Sequence, residues 1–205
     1  MMKLRVGKTE IEISYLLICL LALSIILDKA QKLLLCLFAI VVHEAGHILM
    51  MIFFGFSPKK IKISLFEISI NDAQRSLRSK KQNILIIFFG PFANFICFIC
   101  FYLLYLFSNE NELFLSLAAT NISVCLFNIL PALSLDGGQL IYLFLSFKFD
   151  NAVVEKIVNI ITFIILFPLA VLGLLVLFDS KYNFSLLFIC VYLVATLFMR
   201  NNKFY

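Results

Sequence analysis

The sequence predicts an all-helical polytopic membrane protein of about six transmembrane helices, with a short β-strand or hairpin insert between the second and third. Three observations point there. The chain of 205 residues is 63% hydrophobic and 14% charged, with a mean hydropathy of +1.05, whereas soluble domains are about half apolar and about a quarter charged. Its apolar residues gather in blocks of about 17 to 25, the length at which a helix crosses a hydrocarbon core of roughly 30 Å. Lys and Arg divide unequally between the connections, as they do in proteins held in one orientation.

Taken in order, the first block, Ile13 to Leu27, runs into Asp28 and Lys29 without a small-residue cleavage site, so it reads as an uncleaved span at 13–27 and not as a secretory leader. Further spans are expected near 33–56, 84–107, 113–131, 157–178 and 184–199, with a half-helix at 138–147. Between the second and third spans, Lys60-Ile61-Lys62-Ile63-Ser64-Leu65 alternates with period two, and Phe66-Glu67-Ile68-Ser69-Ile70 alternates in the opposite phase. Either one or two short strands with a bulge or turn at the phase change, or a solvated cytoplasmic loop, fits that pattern. Beyond it, Arg75, Arg78, Lys80 and Lys81 suit a surface beside anionic headgroups. The longest polar interval, Ser57 to Gln82, is 26 residues, too short for a core of its own. Residues 1–205 are therefore expected to form one membrane domain, with no separate soluble regulatory domain.

Six crossings bring both termini to one side. The N-terminus, the second-to-third and fourth-to-fifth connections and the C-terminus hold fourteen of the 17 Lys and Arg; the opposite side holds Lys29, Lys32 and Lys181. Both termini are expected in the cytoplasm of a bacterial cell membrane. The same distribution accounts for the net charge of +5 without a nucleic acid partner. All six cysteines lie in apolar blocks, as packed thiols do, and Cys97 and Cys100 read as packing despite their CxxC spacing.

Ionisable groups at membrane depth are costly, and here they are few. Both histidines of the chain fall in the second span, in His43-Glu44-Ala45-Gly46-His47. Residues four apart share a helix face, so the two imidazoles can converge on one cation, with Glu44 bordering the same site. This is the HExxH arrangement of zinc hydrolases, two nitrogen ligands and a carboxylate able to accept a proton from water. A catalytic zinc site usually has a third protein ligand. Most acids lie at span ends or in loops, whereas Asp136 follows an apolar run broken by Asn128 and Pro131 and precedes Gly137-Gly138. Pro and paired Gly predict an unwound segment there, which membranes tolerate where it lines a protein cavity. The second and fourth spans both run inward, so His43, His47 and Asp136 can meet in the cytoplasmic half; Asp136 could also be an ordinary Asp-Gly turn residue.

The third span opens with Phe89-Gly90-Pro91-Phe92-Ala93-Asn94, where Pro kinks the helix and the small residues admit a neighbour closely. Asn94 could bond a site residue or a substrate backbone, or bridge two helices, and Asn128 carries the same alternatives.

His43-Glu44-Ala45-Gly46-His47, Gly90-Pro91-Phe92-Ala93-Asn94 and the run from Asn128 through Pro131 to Asp136-Gly137-Gly138 together resemble the site-2 protease family of intramembrane zinc metalloproteases, peptidase family M50. Motif order, span layout and strand-like insert are most similar to the bacterial sporulation factor IV FB type. The resemblance covers essentially the whole chain. It implies one zinc per chain held by His43, His47 and Asp136, with Glu44 as catalytic acid/base. Asn94, Asn128, Gly90, Pro91, Pro131 and Gly137 would bind substrate or support the site. Implied too is cleavage in or next to a transmembrane segment of a membrane-bound protein, such as a transcription factor precursor during sporulation. A departure is that the sporulation branch typically carries a C-terminal cytoplasmic regulatory domain, whereas this sequence ends at Tyr205, soon after the sixth apolar block.

The expected partners are the membrane-protein substrate, the lipid bilayer and an inhibitory or regulatory membrane protein. Because a helical substrate hides its carbonyls, the 61–70 segment is expected to capture it by strand pairing. Two rivals use the same residues: a metal transporter or sensor, disfavoured because no repeated halves are visible, and an inactive client-binding relative, disfavoured by the intact Glu44.

Overall fold

The computed structural model describes residues 1–6, 9–15, 22, 26, 30–56, 58, 60–63, 68–71, 75–108 and 111–179. The expected span at 184–199, and most of that at 13–27, lie outside the described residues. The chain divides into two compact units, Met1–Leu126 and Phe127–Tyr205. The described chain is mostly helical, and its four-stranded sheet includes, beyond the expected insert, two N-terminal strands that the sequence reading placed in no strand.

In the first unit, β1 (Met2–Val6) and β2 (Thr9–Ile13) form an antiparallel pair, followed by helix α1 (Ala30–Phe53). Strands β3 (Lys60–Ile63) and β4 (Ile68–Asn71) are also antiparallel, with Ile61 opposite Ile70 and Lys62 opposite Ser69. Strand β2 lies parallel to β3, giving the order β1-β2-β3-β4 with β1 and β4 at the edges. The expected first span begins at Ile13, yet Ile13 closes β2, opposite Met2 on one side and Ile63 on the other. Thr9-Glu10-Ile11-Glu12-Ile13 alternates with period two, and its charges are matched across strands. Buried Glu12 is 3.0 Å from Lys3 on β1 and 2.8 Å from Lys60 on β3. Hydrogen bonds from Lys60 and then Lys3 hold its carboxyl below the ordinary carboxylate range.

Helix α1 ends where Gly55 takes φ +79°. The amide of Phe56 donates to the Met51 carbonyl and that of Gly55 to the Ile52 carbonyl, both at 2.9 Å, the Schellman closure that a left-handed glycine permits. Helix α2 (Lys80–Phe107) begins with a capping box: the Ser79 side chain accepts from the Gln82 amide at 3.2 Å, and the Gln82 side chain accepts from the Ser79 amide at 2.9 Å. Helix α3 (Glu112–Ile129) follows. Three helices are long and apolar enough to cross a bilayer among the described residues: Gln31–Phe53, Lys80–Phe107 and Glu112–Ile129. Helices α1 and α2 pack closely through small residues. A Cβ at Gly46 would overlap the Phe89 carbonyl and come within 2.9 Å of the Ala93 Cβ.

In the second unit, the helical run stops at Ile129, because Pro131 disfavours helical backbone at the residue before it. After this break come the short α4 (Asp136–Leu145), where the half-helix at 138–147 is expected, and α5 (Asn151–Asp179). Val154 and Val158 are fully buried against Leu133, with Ile141, Tyr142 and Leu145 around them. Thr162 of α5 donates to the Pro131 carbonyl at 3.0 Å, tying the break to that helix.

Candidate metal centre

His43 and His47 lie one turn apart on α1, as the i, i+4 spacing requires. Their rings meet edge to face, with centroids 4.8 Å apart and the two Nε2 atoms separated by 3.2 Å. Each ring is oriented through its other nitrogen. His43 Nδ1 lies 2.9 Å from Asn94 Oδ1, and His47 Nδ1 lies 2.8 Å from the Ile86 carbonyl, both on α2.

A backbone carbonyl only accepts, so His47 carries its proton on Nδ1. At Asn94 the amide nitrogen donates to the Ala39 carbonyl at 2.8 Å and to Asn121 Oδ1 at 3.0 Å, using both of its hydrogens. Its oxygen therefore faces His43, which must donate from Nδ1 as well. Both Nε2 atoms then present lone pairs to each other, an arrangement that a cation between or beside them stabilises. Histidines that ligate metals almost always give their second nitrogen to such an acceptor, so this pair fits zinc. Glu44, half-buried, is the next residue along α1.

Gly90 and Pro91 make room for the rings. Pro91, buried inside α2, lacks a backbone donor and presses on the preceding turn; in that turn the Ile86 carbonyl turns to His47. A Cβ at Gly90 would overlap the His47 ring and lie 3.0 Å from His43 Cε1. His43, His47, Gly90, Pro91 and Asn94 thus come together within the first unit.

Asn128, Pro131, Asp136 and Gly137 belong to the second unit. Asp136 opens α4 with 8% of its surface exposed, and a Cβ at Gly137 would run into the Ile129 and Leu130 carbonyls, so the return of the chain onto the end of α3 requires glycine. Asn121, fully buried on α3 and bonded to Asn94, and the Ile86 carbonyl are the parts of the centre that sequence reading missed. An amide in an otherwise apolar span is a signal that could have found Asn121; nothing marks a single main-chain acceptor.

A membrane-length helix carrying a His-x3-His pair with oriented rings has the form of the zincin motif HExxH. Comparison with known proteins is specific. Residues 36–136 match a family described as "Putative zincin peptidase", and residues 108–169 match peptidase family M50. The chain is 28% identical over 180 residues to the stage IV sporulation protein FB of Bacillus subtilis (strain 168), covering 84% of this chain and 60% of that protein. Its fold is similar to that of the site-2 protease from Methanocaldococcus jannaschii, with a TM-score of 0.71 and 22% identity over 100% of this chain and 96% of that one. The chain is thus similar to zincin and M50 zinc peptidases in sequence, and it shares the fold of a site-2 protease.

Proposed function

We propose that this integral membrane protein is an intramembrane zinc endopeptidase, hydrolysing a peptide bond in or beside a membrane segment of a protein substrate. The reading rests on two imidazoles oriented through Nδ1, with Nε2 atoms 3.2 Å apart and Glu44 beside them. His43 and His47 would hold the metal through Nε2, with Asp136 as third ligand. A buried carboxylate at the start of a helix after a break suits that role. Zinc, when bound, supplies the Lewis acidity that polarises a carbonyl and makes water nucleophilic near neutral pH.

Glu44 takes the proton that the attacking water gives up and returns it to the leaving amine. Asn94 keeps His43 in the tautomer that leaves Nε2 as acceptor, and Gly90 and Pro91 give the rings their space. Asn128, Pro131 and Gly137 support substrate or ligand at the break. The substrate helix must be extended before its carbonyl can be attacked, and the edge strand β4 offers backbone groups to receive it. Both termini lie in the cytoplasm, and water enters from that side. Likeness to a sporulation protein supports a membrane-tethered precursor, such as that of a transcription factor, as the substrate class, with a regulatory membrane protein as a further partner.

Detergent-purified protein should carry about one zinc per chain, lost or greatly reduced in His43→Ala and Asp136→Asn. Glu44→Gln should keep the metal and lose cleavage of a co-expressed membrane substrate. Folded wild-type protein without zinc would overturn the reading, and cleavage that survives Glu44→Gln would remove Glu44 as the base.

A further inference from the structure

We propose that Asn121 is a positioning residue of the metal centre, acting through Asn94 to fix the tautomer of His43. The inference rests on the reading of His43 as a zinc ligand, and it adds a third helix to the machinery that holds this ligand.

Three hydrogen bonds with one direction link the residues. Asn121 Nδ2 donates to the Leu117 carbonyl at 2.8 Å, within α3. That main-chain acceptor fixes which way the Asn121 amide points, so its Oδ1 accepts from Asn94 Nδ2 at 3.0 Å. Asn94 Oδ1 then accepts from His43 Nδ1 at 2.9 Å. Both asparagines are 0% exposed, so no water competes for these bonds and an amide flip would bury acceptor against acceptor.

The fixing matters because the two histidines have another arrangement open to them. With the Nε2 atoms 3.2 Å apart, His43 could move its proton to Nε2 and donate to His47, which would remove a lone pair needed for zinc. The Ala39 carbonyl alone gives Asn94 one anchor against that flip, and Asn121 gives the second. Thr120 and Ser123, its neighbours on α3, donate to carbonyls of their own helix, Ser116 and Ala119. Asn121 also reaches across to α2.

The test reads the tautomer directly, without metal. The chain has two histidines, so a nitrogen-detected NMR spectrum of histidine-labelled, metal-free protein in detergent shows two rings, assigned with His47→Gln. Wild type should show His43 protonated at Nδ1. Asn121→Leu, which keeps the volume but offers no acceptor, should populate the Nε2 tautomer and weaken zinc binding by about tenfold or more. Asn121→Asp, which presents an oxygen to Asn94 in either protonation state, should restore the Nδ1 tautomer. An unchanged His43 spectrum in Asn121→Leu overturns the proposal. So do equal shifts in the Leu and Asp variants, which would assign the effect to packing, or a shifted tautomer with zinc affinity unchanged. Failure of the zinc reading appears separately, as absent metal binding in wild type beside an intact Nδ1 signal.

Discussion

A methyl group added at position 90 would enter the space that two imidazoles now occupy. Because a Cβ there overlaps the His47 ring and approaches His43, and because α2 backbone cannot recede where it packs against Gly46, the rings must yield. Gly90→Ala is therefore expected to weaken zinc binding by about ten- to a hundredfold, measured by competition with a chromophoric chelator, while the helical circular dichroism stays at the wild-type level. Equal affinity would mean that the rings have slack. At this scale much was legible: HExxH names a shared helix face through spacing alone, and the small residues around Pro91 announce close approach. Asn94 bonds His43 and at the same time bridges α2 to α1 and α3 through Ala39 and Asn121. Asn121 carries a signal as an amide in an apolar span, but its link to Asn94 and the Ile86 carbonyl were not legible, because these depend on which helix lies opposite.

At the scale of elements, the alternation of residues 60–63 and 68–71 is readable because period two survives in short strands. The N-terminal strands were hidden by their neighbour: β2 ends at Ile13, where the apolar block starts, and its own isoleucines merge with that block. The sheet order refines the idea that the 61–70 segment captures substrate. Strand β3 is paired on both sides, so proline at Ile63 would damage the sheet itself, and only β4 of this hairpin has an open edge. Successive amides of a strand point to opposite sides, so of Ser69→Pro and Ile70→Pro one removes a bond to β3 and the other a bond offered outward. If β4 receives the substrate strand, the outward variant should lose most cleavage with zinc content unchanged, and the inward one should also lower thermal stability. Full cleavage in both variants would exclude capture at this edge.

For the molecule as a whole, the sheet constrains how the chain threads the bilayer. Strands β2 and β3 are paired in parallel, so Thr9–Ile13 and Lys60–Ile63 are expected on one side of the membrane. Helix α1 between them has 24 residues, a length of about 36 Å, enough to cross once. Returning to the same side takes an even number of crossings, which the first span expected at 13–27 would complete. Lys3, Arg5, Lys60 and Lys62 then share a side, in agreement with the unequal spread of basic residues. An impermeant maleimide tests this with single cysteines at Thr9, Ser69 and Asn111, the last in the connection between α2 and α3 on the opposite side. In intact cells Asn111→Cys should label, and Thr9→Cys and Ser69→Cys only after permeabilisation. Labelling of Thr9→Cys and Ser69→Cys from opposite sides would break the sheet in the membrane, and labelling of both from outside would invert the proposed orientation and move the water entry of the metal centre to the other face.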